Sequence, residues 1–349
     1  MRALSRLRRL IKEEKGGMMV IFAVMLPSML GFSAMAVDLG VVYSVRNELQ
    51  NAADAAALAG ANTMITADSD GYAVMALGTG IATAKQYSLL NKSMDQNLTL
   101  LDGDIVAGLW DFDANGFSIT SPSGPDELTA IEVKVRRDDV VNSPVSTYFA
   151  RALGISDVNI QARSVALLGY AGSTQAGQVD LPIAIKKEAL TGGDGPDCGK
   201  TLEFHDENNE NGEWTTFFTW PTNDPEVSDF VTGDREIPPL EVGDDINVIN
   251  GNLSNNTFDQ LFERFQAEGS DTNGDLVVDY WRVLLPVIDP GGSATQSKVA
   301  GFCYFVITNV RPAPDKDLTG YLECGLVVDN STTGGENFGS RAEFAKLIR

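Results

Sequence analysis

The sequence predicts an α+β chain: an N-terminal transmembrane helix continuing outward as a helix packed on a small sheet, then an irregular, mainly β domain. Three observations predict it. About twenty residues from Met18 to Val37 carry no charge. Apolar and small residues then recur every three or four positions as far as Ala61, the period of a helix face. Beyond Asp104, short alternating runs broken by Gly, Pro and Asn-Gly replace that period, as in strands.

The apolar run comes first. At about 1.5 Å per residue, a helix over Met18–Val37 just covers a hydrocarbon core of about 30 Å. Pro27 and Gly31 within it are tolerated by membrane helices. Residues 1–17 hold Arg2, Arg6, Arg8, Arg9, Lys12 and Lys15 against Glu13 and Glu14, a charge of +4, whereas the rest of the chain carries −26 of the total −22. A basic flank stays in the cytoplasm, so the expected placement is the bacterial inner membrane, N-terminus inside and body periplasmic or extracellular. The acidic body also argues against nucleic acid, whose binding depends on Lys and Arg displacing counterions.

Ala34-Met35-Ala36 offers a small-x-small cleavage pattern. The helical period nevertheless runs on through Val42, Val45, Leu49, Ala52, Ala56 and Ala59, so the anchor is expected to be retained. Leu49, Ala52, Ala56 and Ala59 make a small-residue stripe, read as an exposed face suited to docking a partner helix.

The run GGMMVIFAVMLPSMLGFSAMAVDLGVVYSVRNELQNAADAAALAGA resembles the N-terminal segment of the Tad, or Flp, pilus-assembly proteins of the TadE/TadG-like group. The matching features are the glycine before the apolar run, the LP within it, the AVDLG exit and the QNAADAAALAGA helix. The resemblance implies a single-pass, pilin-like accessory protein that acts by contacts with other Tad pilus or secretion components and not as an enzyme. Two departures bear on it. A cut after Gly17 would place Phe22 where prepilins carry Glu, which argues against processing as an ordinary pilin. The Asp-x-Ser-x-Ser motif of the von Willebrand A domain found in many TadG-like proteins is absent, so metal-dependent adhesion is not carried over.

The division expected is a basic segment 1–17, the membrane helix 18–37, a pilin-like domain 38–168, a linker 169–178, a mainly β domain 179–330, and a flexible tail 331–349 with a short terminal helix. In the first domain, helices over 71–91 and 144–153 and strands over 104–112, 130–136 and 157–168 are expected, with a tight turn at Asn115-Gly116. In the second, strands are expected over 181–185, 201–204, 214–218, 245–249, 276–288, 302–310 and 320–328. One helix, 257–267, carries Phe258, Leu261, Phe262 and Phe265 at helical spacing.

Chemistry-bearing motifs are sparse. Asp271, Asn273, Asp275 and Asp279 occupy the first, third, fifth and ninth positions of a calcium loop, but Leu276 and Arg282 replace its required Gly and bidentate Glu. A solvated turn is the plainer reading, and calcium is the one cofactor the spacing allows. Asp206, Asn208 and Glu210 form a weaker cluster of the same kind. His205 lacks a nucleophile elbow, and a secreted hydrolase has no positive support. A Tad-anchored envelope protein whose β domain binds calcium, glycan or surface polymer is the alternative. Of Cys198, Cys303 and Cys324, a Cys303–Cys324 bond across a hairpin centred near Pro314, a bond using Cys198, or none all remain open.

Overall fold

The computed structural model describes residues 14–111, 116–125, 127–192, 195–205, 210–249, 253–293 and 295–348. The basic residues Arg2 to Lys12, the turn residue Asn115, and Asp206 and Asn208 lie outside the described residues.

The architecture is a long N-terminal apolar helix followed by a mainly β body. The helix runs unbroken over Glu14–Asn62, 49 residues. Two compact units divide the chain. One takes residues up to Ala55 with Lys85–Asp104 and Lys134–Arg163; the other takes Ala56–Ala84, Ile105–Val133 and Ser164–Arg349. The break expected at 169–178 is therefore not where the contacts part.

In the first unit, Val45, Leu49, Ala52 and Ala53 are buried, and the amide of Gln50 donates to the carbonyl of Arg163. Arg136 bonds Asp104 at 2.9 Å and Asp138 at 2.7 Å. Arg137, also buried, donates to Asn142, Ser143, Ser93 and Gln96.

In the second unit the helix ends in a close crossing. A Cβ on Gly60 would stand 2.9 Å from Ile131 Cδ1 and 3.0 Å from the Gly80 carbonyl, and one on Gly80 2.8 Å from the Gly60 carbonyl. Gly80 belongs to the second helix, Leu77–Leu90. That helix starts later than expected because Ala73–Met75 pairs instead with Ile65–Ala67 as a hairpin. Ala56 and Ala57 are wholly buried on the same stretch. The stripe read as an exposed docking face is thus corrected: Leu49, Ala52 and Ala56 are at 0% exposure and Ala59 is half-buried. Small side chains let this chain's own elements approach the helix closely.

A five-stranded sheet has the order Lys346–Ile348, Ile160–Leu168, Thr129–Arg137, Ile105–Asp111, Gly116–Ser118. The alternation in the central strand holds, with Ile131, Val133 and Val135 all buried.

The larger sheet has seven strands, in the order Thr201–His205, Asp317–Glu323, Gln296–Arg311, Asp245–Ile249, Gly212–Phe217, Ile183–Lys186, Trp281–Ser293. The last also pairs with Gln296–Arg311, which closes the strands between them into a ring. Phe204 and Phe305 meet edge-to-face at 5.6 Å between ring centres, as do Trp214 and Phe258. Phe258, Leu261 and Phe265 project into this core from the helix Asn255–Glu268, whose first turn is capped by Ser254 accepting from the Thr257 amide. A further helix, Asp224–Thr232, escaped the sequence reading although its signals are present: Asn223 caps it, Pro225 sits in its first turn, and Gly233 ends it at φ 78°.

Two expectations fail here for one reason. The supposed linker holds strands Tyr170–Ala171 and Ser173–Thr174, all four residues buried. The supposed tail with its terminal helix is instead mostly strand, in Leu326–Gly335, Ser340–Phe344 and Lys346–Ile348. Tyr170–Ala171 pairs with both of the first two, and Lys346–Ile348 completes the five-stranded sheet against Val165–Leu167. Small polar residues such as Gly172, Ser173 and Thr333 mark close backbone packing here, not freedom: the Gly172 amide donates to the Thr332 carbonyl at 2.7 Å. Arg341, 1% exposed, donates to the carbonyls of Leu168 and Glu127 at 2.6 and 2.9 Å and lies over the Tyr170 ring.

Two predictions follow from this packing. Gly80→Ala should lower stability by about 1–3 kcal/mol, because its Cβ meets a backbone carbonyl that has to shift; the gain in helix propensity, about 1 kcal/mol, offsets only part. Thermal unfolding of the detergent-solubilised chain reads this as a lowered Tm. The second concerns Asp180, whose carboxyl burial pushes up to about 6 although the Leu284 amide and Arg264 favour its charged form. Unfolded, it titrates near about 3.9. The native state therefore holds the proton between about pH 4 and 6, and stability falls as pH rises through that window, by at most roughly 3 kcal/mol. Asp180→Asn should flatten that slope and exceed the wild type in stability at pH 7, measured by urea unfolding at several pH values.

Candidate functional site at the exit of the long helix

From Met18 to Val37 the side chains project from the helix without packing partners: Met18, Phe22, Met29 and Phe32 are between 63% and 79% exposed. Among the described residues this is the one helix long and apolar enough to cross a membrane. Pro27 lies inside it, followed by Ser28, whose hydroxyl donates to the Val24 carbonyl at 3.0 Å, and Ser33, which does the same to Met29. Polar atoms on an otherwise apolar face are thereby satisfied within the helix itself.

Asp38, the first charge after the run, is buried at 8% exposure. Its carboxylate accepts from three successive backbone amides, Tyr148 at 2.8 Å, Phe149 at 3.0 Å and Ala150 at 2.6 Å. Those amides open a short 3-10 turn, Ala150–Leu153, ended by Gly154 at φ 88°. The helix expected over 144–153 shrinks to this turn. Val145–Ser146 is instead a strand paired with Asp157–Val158, and the turn begins only where Asp38 supplies an acceptor for its first amides. Thr147 closes the base of the loop, its amide donating to the Ser156 carbonyl at 2.9 Å. Sequence reasoning saw Asp38 only as the first polar residue beyond the apolar run. An Asp following twenty uncharged residues was a signal, but its partners lie 110 or more positions away.

The other residues singled out by the sequence are not brought together. Asp271 accepts from the amides of Asn273, Gly274 and Leu276, which holds its carboxyl below the usual carboxylate range. Asn273 and Asp275 each accept from the amide two residues on, and Asp279 caps Thr272. The loop is an exposed run of self-capped turns. Among the described residues no three His, Cys, Asp or Glu side chains are grouped to hold a metal ion. His205 stands at a strand end, 3.4 Å from Glu203 and 3.8 Å from Asp317, with no nucleophile bonded to it. Arg282 forms a fork on Glu323 at 2.6 and 2.8 Å, and the Tyr72 hydroxyl donates to the same carboxylate at 2.5 Å. That bond raises the Tyr72 hydroxyl above its ordinary pKa.

Of the three cysteine alternatives the structure adopts a bond using Cys198: Cys198–Cys324, across 126 positions. Cys303 is free and fully buried, its thiol pushed well up by that burial. Cys303 pairs with Leu285 on its other side, and the pairing of Gln296–Arg311 with Asp317–Glu323 stops at Tyr304 and Glu323, one step short of Cys303 and Cys324, so Cys324 lies past the strand end where it bonds Cys198.

Two family models match. One, described as Flp pilus-assembly TadE/G-like, covers residues 16–63; the other, described as Tad-like Flp pilus-assembly, covers residues 42–166. Residues 16–166 are of the Tad/Flp pilus-assembly family. No curated protein and no solved structure matches the chain. The two matches overlap on the helix from Val42 onward and together take in Asp38 and the loop it holds. The matches over these residues support an accessory role in pilus assembly, and the apolar helix is consistent with membrane anchoring.

The thiols give a direct check on the disulfide. Native, unreduced protein should take no alkylating label; unfolding should expose one thiol, and unfolding with reduction three, read by intact mass. Cys324→Ser should cost about 2–5 kcal/mol of stability through the lost cross-link.

Proposed function

We propose that this Tad-family chain is a single-pass, pilin-like accessory protein of a Tad/Flp-type pilus or secretion apparatus, embedded in the bacterial inner membrane with its N-terminus in the cytoplasm. The body stands in the periplasm or outside and acts by assembly contacts with other Tad components. The observation that carries this is the undivided helix Glu14–Asn62, bare and apolar over its first half and packed into the body by Leu49, Ala52 and Ala56 over its second. A helix so divided joins a bilayer to a folded domain without a flexible hinge. The basic flank favours the N-terminus inside, and the Cys198–Cys324 bond suits an oxidising compartment. The burial of the alanine stripe leaves the body surface, and not that stripe, as the ground for contacts.

Deleting the gene in a strain that displays Tad pili should abolish or sharply reduce piliation, and the wild-type copy should restore it; pilus numbers unchanged by deletion would refute the role. In spheroplasts, added protease should digest the chain beyond Asp38, and full protection there would reverse the orientation.

A further inference from the structure

We propose that the loop Tyr148–Ile155 is a second, shallow membrane contact that lies in the lipid headgroup region beside the helix. This deepens the reading of Met18–Val37 as a bilayer span and rests on it. A span of about twenty residues ends at the boundary of the hydrocarbon, so Asp38 stands where lipid meets water. Its carboxylate takes the amides of Tyr148, Phe149 and Ala150, and helix and loop belong to one compact unit. The loop is therefore held at the height of the boundary.

What the loop presents there is apolar. Tyr148 is 63% exposed, Phe149 51%, Leu153 82% and Ile155 52%. On the helix next to Asp38, Leu39 and Tyr43 are also exposed. In a chain of net charge −22, residues 145–156 contain no acid and one cation, Arg151. Aromatic rings and a long cationic side chain around an apolar patch match the headgroup layer, where Tyr sits at the interface and Arg reaches back to phosphate. The backbone is prepared for it as well. The amides of Ala152, Gly154 and Ile155 bond to carbonyls within the loop, Thr147 bonds Ser156 at its base, and Asp38 takes the amides of Tyr148, Phe149 and Ala150. A segment entering the interface with these seven amides paired avoids the cost of stripping water from them.

The test uses the full chain in nanodiscs of zwitterionic and anionic phospholipid, spin-labelled at Leu153→Cys or, as a depth reference, at Leu30→Cys. Collision with oxygen, which concentrates in lipid, is compared with collision with a water-soluble nickel chelate, and free label in buffer supplies the water value. The expected result is that the Leu153→Cys label favours oxygen, as Leu30→Cys does. Adding Asp38→Ala should return the loop label to the water value and leave Leu30→Cys unchanged. A water value at Leu153→Cys with a lipid value at Leu30→Cys overturns the proposal and leaves the span standing. Water values at both overturn the span itself. Shielding of Leu153→Cys from both agents means a protein covers the loop, and also overturns the proposal. A loop label that stays in lipid in the Asp38→Ala chain overturns the part given to Asp38; Asp38→Asn, which keeps the side-chain volume, guards against a folding failure.

Discussion

One helical backbone here has to serve two surroundings. Over Met18–Val37 no side chain is buried among the described residues, and apart from Ser28 and Ser33 the side chains are apolar, as hydrocarbon demands. From Val45 onward the same helix is packed, and the requirement reverses: side chains have to be small enough for other backbone to come close. Asp38 marks the changeover. A carboxylate there is too polar for the first setting, and in the second it satisfies three amides that would otherwise need water.

The body is built so that its last strands are indispensable. Tyr170–Ala171 pairs with Leu326–Gly335 and Ser340–Phe344, and Lys346–Ile348 pairs with Val165–Leu167. Arg341 reaches carbonyls from segments more than 170 positions earlier. Removing this buried guanidinium would take a donor from the carbonyls of Glu127 and Leu168, so the strand of Arg341 is bound to the core by polar satisfaction as well as by apolar burial. Cys198–Cys324 adds a covalent tie within the same body. The chemistry-bearing side chains are used inward as well: Asp271 caps its own loop, and Glu323 gathers Arg282 and Tyr72.

Local periodicity was enough for much of this. The charge-free run, the 3.6-residue spacing beyond it, the alternation of Ile131, Val133 and Val135, and the Phe258-Leu261-Phe265 face of the later helix are all readable because each depends on residues a few positions apart. The resemblance of the first sixty residues to Tad proteins was legible for the same reason: it lies in a contiguous string. What the sequence could not supply were relations across a hundred or more positions. Whether Cys324 meets Cys198 or Cys303 depends on where the strand pairing stops and on a segment 126 positions away. Whether Gly172-Ser173-Thr174 is slack or woven depends on strands near Thr332 that any local window omits. Whether the alanine stripe faces a partner or its own core looks identical in sequence, since small residues allow close approach to either. The tertiary structure decided these, because burial and pairing are properties of the assembled backbone, whereas helix and strand periods are properties of the chain.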